Sequence, residues 1–155
     1  MKRLAAIADE SGAALVEFVL VLPLLLVLLF GMLDFGKAYN YWIDGTQLAH
    51  EGARFAAVNK NPGPGASLQE SIRDQADTPE LKNGGTASVP SALSVCIDFP
   101  NGTSQIGDPV RVRVTTTYSF LSFLSSKVGI ANKTIQADSI MRLEQPPTNF
   151  SAGCT

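Results

Sequence analysis

The chain is poor in the residues on which most catalytic and metal chemistry depends. Its 155 residues include one histidine, His50, and two cysteines, Cys96 and Cys154. His50 stands beside Glu51 with no second histidine or cysteine at ligand spacing, which excludes the usual zinc patterns. G-x-S-x-G, P-loop and dinucleotide fingerprints are all missing, and with them the common signatures of hydrolases, nucleotide hydrolases and dehydrogenases. An anchored hydrolase with His50 as base therefore has nothing further in the sequence to support it. Asp98, Asn101 and Asp108 offer oxygen ligands in a turn-rich loop but lack EF-hand spacing. Net charge is −2 and the basic residues are scattered, so neither nucleic-acid binding nor a basic membrane-surface patch is indicated. The reading is a non-enzyme with no metal, no cofactor and no small-molecule substrate. Asn101-Gly-Thr, Asn132-Lys-Thr and Asn149-Phe-Ser match the glycosylation triplet, a pattern common by chance in such a sequence.

What the chain has in abundance is one uninterrupted apolar stretch. From Phe18 to Leu33 sixteen residues carry no charge, and Ala13 to Leu33 makes twenty-one with Glu17 as the single carboxylate. At about 1.5 Å per residue such a helix covers the roughly 30 Å hydrocarbon core of a bilayer. Pro23 removes one backbone donor within it, so a local kink or loosened turn is expected there, which membrane helices tolerate. Lys2 and Arg3 lie before the span and Lys37 just after it, a weak bias toward a cytoplasmic N-terminus. A cleaved secretory signal fits less well, because the run is longer than a signal core and no small-x-small site follows.

The helical pattern continues past the span. Phe35, Tyr39, Trp42, Thr46, Ala49, Ala53 and Ala56 alternate at spacings of four and three, predicting one helix to about Val58. Tyr39, Tyr41 and Trp42 sit where amphipathic rings favour a membrane interface. A second stripe is small: Ala38, Gly45, Ala49, Gly52 and Ala56. Each helix-interior glycine costs about 1 kcal/mol relative to alanine, so the stripe needs a packing reason. Two are open, a partner helix or docking on the chain's own sheet.

Two prolines and two glycines between Asn59 and Gly65 end the helix. Ser67 and Glu70 form a capping box that predicts a short helix to about Ala76, and Pro79 with Asn83-Gly84-Gly85 closes that section. From Leu93 the period becomes two. Leu93, Val95, Ile97 and Phe99 alternate with Ser94, Cys96 and Asp98; Val110 to Tyr118 alternates most clearly, with Arg111 and Arg113 on its solvated face. Phe120 to Val128 is apolar but aperiodic, a short helix or a loop under the sheet. A third strand is predicted over Lys133 to Leu143 with Ile135, Ala137 and Met141 on one face; Ile140 breaks the alternation and suggests a bulge. The tail from Pro146 reads as loop. Cys96 points away from the apolar face, where a returning tail carrying Cys154 can reach it. A disulfide follows if the domain is exported, and two unrelated thiols if it is cytosolic.

Gly12 followed by Ala13-Ala-Leu-Val, then Glu17-Phe18 and the apolar run, resembles the processing site of type IV pilin-like proteins. The segment LVLPLLLVLLFGMLDFGKAY and the run His50-Glu51-Gly52-Ala53-Arg54 are similar to the TadE-like family of tight-adherence pilus pseudopilins. The likeness covers about the first sixty residues; farther on it rests more loosely on the β-rich half, Met141-Arg-Leu-Glu144 and the late cysteine. It implies a leader over residues 1–12, cut by a membrane-embedded prepilin peptidase between Gly12 and Ala13, and a transmembrane segment over 13–36. An extracytoplasmic α+β domain over 37–155 then holds the rest of the long helix against a small antiparallel sheet, as in pilins. Glu17 and Phe18 become assembly and recognition residues, the carboxylate meeting the α-amino group of a neighbouring subunit. Asp9 and Glu10 make this leader less basic than is usual for the group. The resemblance further implies a single-pass protein of the bacterial inner membrane, whose partners are the peptidase, other pilin or pseudopilin subunits, inner-membrane assembly proteins and the bilayer. The alternative is an uncleaved, membrane-anchored scaffold or interaction protein.

Overall fold

A computed structural model describes residues 3–120 and 132–155, with side chains from Gly12 onward. Contacts divide the chain into Met1–Gly36 and Lys37–Thr155. One helix, α1 (Arg3–Ala57), contributes to both and continues through Pro23.

In the first unit the side chains from Gly12 are exposed almost throughout. Leu20, Leu24 and Met32 are 74%, 65% and 75% exposed, and nothing of the 18-residue apolar window is covered. By length and composition this helix can cross a membrane.

The second unit is an α+β domain. After α1 come α2 (Leu68–Arg73) and α3 (Pro79–Asn83), then β1 (Ser94–Asp98), β2 (Pro109–Tyr118), β3 (Lys133–Arg142) and β4 (Gly153–Cys154). The strands form one antiparallel sheet in the order β3-β2-β1-β4. Strict alternation in β1 and β2 puts Val95, Ile97, Val110, Val112, Val114 and Tyr118 on a single buried face. Ala49, Ala53 and Ala56 of α1, Leu68 and Ile72 of α2, and Leu81 of α3 complete that core.

Local chemistry accounts for the helix boundaries. Asn59, at φ 52°, occupies the left-handed position after α1; Asn59 N–H donates to Ala56 O (3.1 Å) and Lys60 N–H to Phe55 O (2.9 Å). This is a Schellman-type stop, in which asparagine substitutes for the commoner glycine. Ser67 and Glu70 make the expected reciprocal capping box, although regular helix ends at Arg73 and a turn carries the chain to Ala76. α3 was not expected as a helix. Thr78 caps it and Pro79 fills its first turn, so its start signal was present in a segment read only as a boundary. Gly84 then turns at φ 65°, where a Cβ would lie 2.3 Å from the backbone of Ser91 and Ala92. Glycine is required there.

Two strand expectations need correction. The β2–β3 ladder runs without interruption from Pro109↔Arg142 to Tyr118↔Lys133, so Ile140 marks no bulge. It faces outward, 55% exposed, and Ser139 takes the inward position. The tail is loop only as far as Ala152, since β4 pairs Cys96↔Cys154 and Ile97↔Gly153. The reading of Phe120 to Val128 lies outside the described residues beyond Phe120, whose ring meets Tyr118 edge-on at 4.8 Å.

Candidate functional site

The residues that the sequence singles out lie along α1. Toward its start, Gly12, Ala13, Glu17 and Phe18 are all exposed; no side chain or foreign backbone lies within 4 Å of the position a Cβ would take on Gly12. Phe18 is 62% exposed. The carboxylate of Glu17 is flanked one turn away by Ala13 and Val21, an apolar setting in which an ionised group demands a partner once hydrocarbon replaces water.

The docked half of α1 has the opposite character. Its inward face is Ala38, Tyr41, Gly45, Ala49, Gly52 and Ala56, recurring at three and four residues. A Cβ on Gly52 would lie 2.9 Å from Ile72 Cδ1 and 3.0 Å from Val112 Cγ1. A Cβ on Gly45 would meet Val114 Cγ1 more loosely, at 3.9 Å. The small stripe therefore meets the chain's own α2 and β2, one of the two explanations open at the start. Small residues let the helix backbone approach the sheet closely, which larger ones would prevent.

Tyr41 departs from its expected interfacial place. It is 2% exposed, its ring 5.7 Å from Tyr118 in edge-on contact, because it falls on the inward face while Tyr39 and Trp42 fall outside it. The latter two stay exposed, their rings 5.7 Å apart. The Tyr41 hydroxyl donates to Glu80, which also pairs with Lys37 Nζ at 2.8 Å. Burial, with the Glu80 carboxylate behind it, pushes the Tyr41 hydroxyl above its ordinary range. Lys37 first and Tyr41 second hold Glu80 below the usual carboxylate value. One turn on, Asp44 is 5% exposed and accepts from Asp77 N–H at 3.0 Å. Burial raises its pKa and that hydrogen bond opposes the rise.

His50 lies on the flank of α1, exposed, with Nδ1 3.0 Å from the buried Ser139 Oγ. Glu51 pairs with Arg54 at 3.4 Å. His50 accounts for Ser139, the polar inward position of β3, and no acid completes a catalytic triad from these contacts. Among the described residues no group of three or more His, Cys, Asp or Glu side chains could hold a metal. Cys96 and Cys154, directly opposed on β1 and β4, form a disulfide.

α1 is thus a long exposed apolar helix with one early carboxylate, continued by a small-residue stripe. Residues 12–54 match the TadE-like protein family. The TadE-like match begins at Gly12 and ends within the docked half of α1, so it contains Glu17, Phe18, Gly45 and Gly52. It bears out the resemblance carried by these residues. No curated protein and no solved structure matches the chain.

Pairwise pattern reading missed the Lys37–Tyr41–Glu80 and His50–Ser139 contacts. Lys37 and Tyr41 lie one turn apart on α1, but nothing in residue spacing links them to Glu80 or His50 to Ser139, and only the fold makes these neighbours.

Proposed function

We propose that the protein is a minor pilin or pseudopilin of a tight-adherence pilus, cut after Gly12 by a prepilin peptidase and working as a structural part, not as a catalyst. The observation that carries this reading is the exposed apolar part of α1 that follows Gly12, with Glu17 inside it, all within the TadE-like segment. A cut there creates an α-amino group at Ala13, which in a neighbouring copy or related subunit is a partner for the Glu17 carboxylate. Pairing removes much of the cost of placing that charge in hydrocarbon.

In this reading the helix anchors the protein in the bacterial inner membrane as a single pass with its N-terminus in the cytoplasm. The domain from Lys37 lies outside the cytoplasm, and the Cys96–Cys154 disulfide supports that placement, since such bonds persist in oxidising compartments. Its partners are the peptidase, other pilin-like subunits, the inner-membrane assembly proteins and the lipid itself.

N-terminal sequencing of the membrane-resident protein, expressed with and without a prepilin peptidase, tests the proposal. Ala13 as first residue only in the presence of the enzyme is the expected result. An intact Met1 under both conditions overturns it in favour of an uncleaved anchored scaffold.

A further inference from the structure

We propose that the C-terminal tail, from Glu144 to Thr155, is a redox-locked strap: the Cys96–Cys154 disulfide holds it across the end of α1, and reduction of that bond releases it. The inference stands on the contacts of the tail and does not depend on the pilus reading.

The strap has two fastenings. At its near end the last helical carbonyl, Ala57 O, accepts from Glu144 N–H at 2.8 Å and from Gln145 N–H at 3.4 Å. Asn59, in its left-handed conformation, then grips the tail: Oδ1 accepts from Thr148 N–H (3.0 Å) and Asn149 N–H (2.9 Å), and Asn149 Nδ2 donates back to Asn59 O (2.8 Å). The same residue thus stops α1 and holds the tail against its end. Farther along, Gln69 Nε2 donates to Ser151 O at 3.0 Å, leading into the two-residue β4 and the disulfide.

The bonds at Asn59 are exposed to water. A hydrogen bond of this kind stabilises by about as much as ordering one residue costs, so the Asn59 bonds leave that part of the tail near balance between bound and free, while beyond it Phe150 stacks on Phe99 (6.3 Å) and Thr155 N–H donates to Val95 O (3.1 Å). The covalent link changes that balance by keeping the far end of the strap beside β1 whether or not the hydrogen bonds are made. Cys154 is exposed, within reach of a dithiol reductant. One thiolate of the dithiol attacks a disulfide sulfur and its second thiol displaces the mixed disulfide. Two electrons and two protons pass to the protein, leaving thiols on Cys96 and Cys154, and the reductant departs as a cyclic disulfide.

Hydrogen exchange followed by mass spectrometry on the full chain in detergent, oxidised, treated with dithiothreitol, and as Cys154→Ser, tests the lock. Reduction and the variant are each expected to speed exchange about tenfold across Glu144–Thr155 and at the Val58–Lys60 amides, leaving the β2–β3 ladder protected. Acceleration confined to residues 153–155 overturns the proposal, because the bond then pins only the terminus. Loss of protection throughout β2 and β3 also overturns it, because the bond is then a staple for the whole domain. Asn59→Gly, which keeps the left-handed backbone and removes the amide grip, should speed exchange at Glu144–Phe150 in the oxidised protein while the Thr155 amide, which donates to Val95 O (3.1 Å), stays protected. No change in that variant sinks the role given to Asn59.

Discussion

The two halves of α1 are built from the same helix but answer to different surroundings. Between Leu15 and Leu33 the side chains are large, exposed and nearly all apolar, whereas from Ala38 to Ala56 the inward positions are mostly alanine and glycine. A helix that meets liquid hydrocarbon gains from bulk and needs no particular shape. One that meets a sheet built of valines must fit it, and shape complementarity there excludes bulk. Residue size along a single helix therefore separates a face toward a fluid from a face toward a protein, where hydropathy alone does not.

Substitutions that treat the halves alike should expose this difference. The largest effect is expected at the domain core: Leu81→Ala, at a position 1% exposed, should cost about 3 kcal/mol in a denaturant titration, against almost nothing for Leu25→Ala, which is 55% exposed. Gly52→Val comes next. Its Cβ would have to displace Ile72 and Val112, and about 2 kcal/mol of domain stability should be lost to overpacking. Gly31→Val, with nothing within 4 Å, should leave the same unfolding midpoint unmoved. Equal effects of the two glycine variants would erase the distinction drawn between the halves.

Thr116→Val tests the sheet side of the same contact. Thr116 is 6% exposed and its Oγ1 has no hydrogen-bond partner, beside a small cavity lined by Tyr41, Gly45 and Val114. Replacing the hydroxyl by a methyl group should raise stability by about 1 kcal/mol, read as a higher melting temperature.

The smallest effect concerns acid. Glu80 is held below its ordinary 4.5, so its contribution is present above that value and is lost as pH falls through the lowered one. Asp44 has the opposite sign: its raised value favours the folded state most when it is protonated, below its ordinary 3.8, and that advantage is lost as pH rises through the raised value. Glu80→Gln should flatten the acid-side loss by a few tenths of a kcal/mol, because Lys37 and Glu80 are partly exposed and screened. A variant as acid-sensitive as wild type would show that the Glu80 contacts contribute nothing.

Much of this architecture was legible in the residues. Alternation over Val110 to Tyr118 gave β2, the Ser67–Glu70 spacing gave α2, and the apolar run gave the membrane-competent half of α1. The alternation of β1 turns Cys96 away from the apolar face, within reach of a tail that carries Cys154. What stayed hidden depends on rotation and long range. Tyr41 and Trp42 are adjacent and both aromatic, and only the orientation of α1 on the sheet sends one into the core and leaves the other outside. Ile140 looked like a bulge because Ser139 holds an inward position that apolar periodicity assigns to a hydrophobe, and its reason, His50, lies on another element. The grip of Asn59 on the tail joins segments that no local pattern connects.

The unbroken ladder between β2 and β3 has a practical consequence. Among the described residues β3 pairs on one side only, over ten residues, and its outer face shows Ile140. Such an edge presents backbone donors and acceptors to any extended chain that comes near. Detergent tails can coat the apolar helix, but they offer nothing to an unpaired amide or carbonyl. Association that persists after the helix has been solubilised would therefore point to the sheet edge, and the remedy would be a charge on the strand and not a stronger detergent.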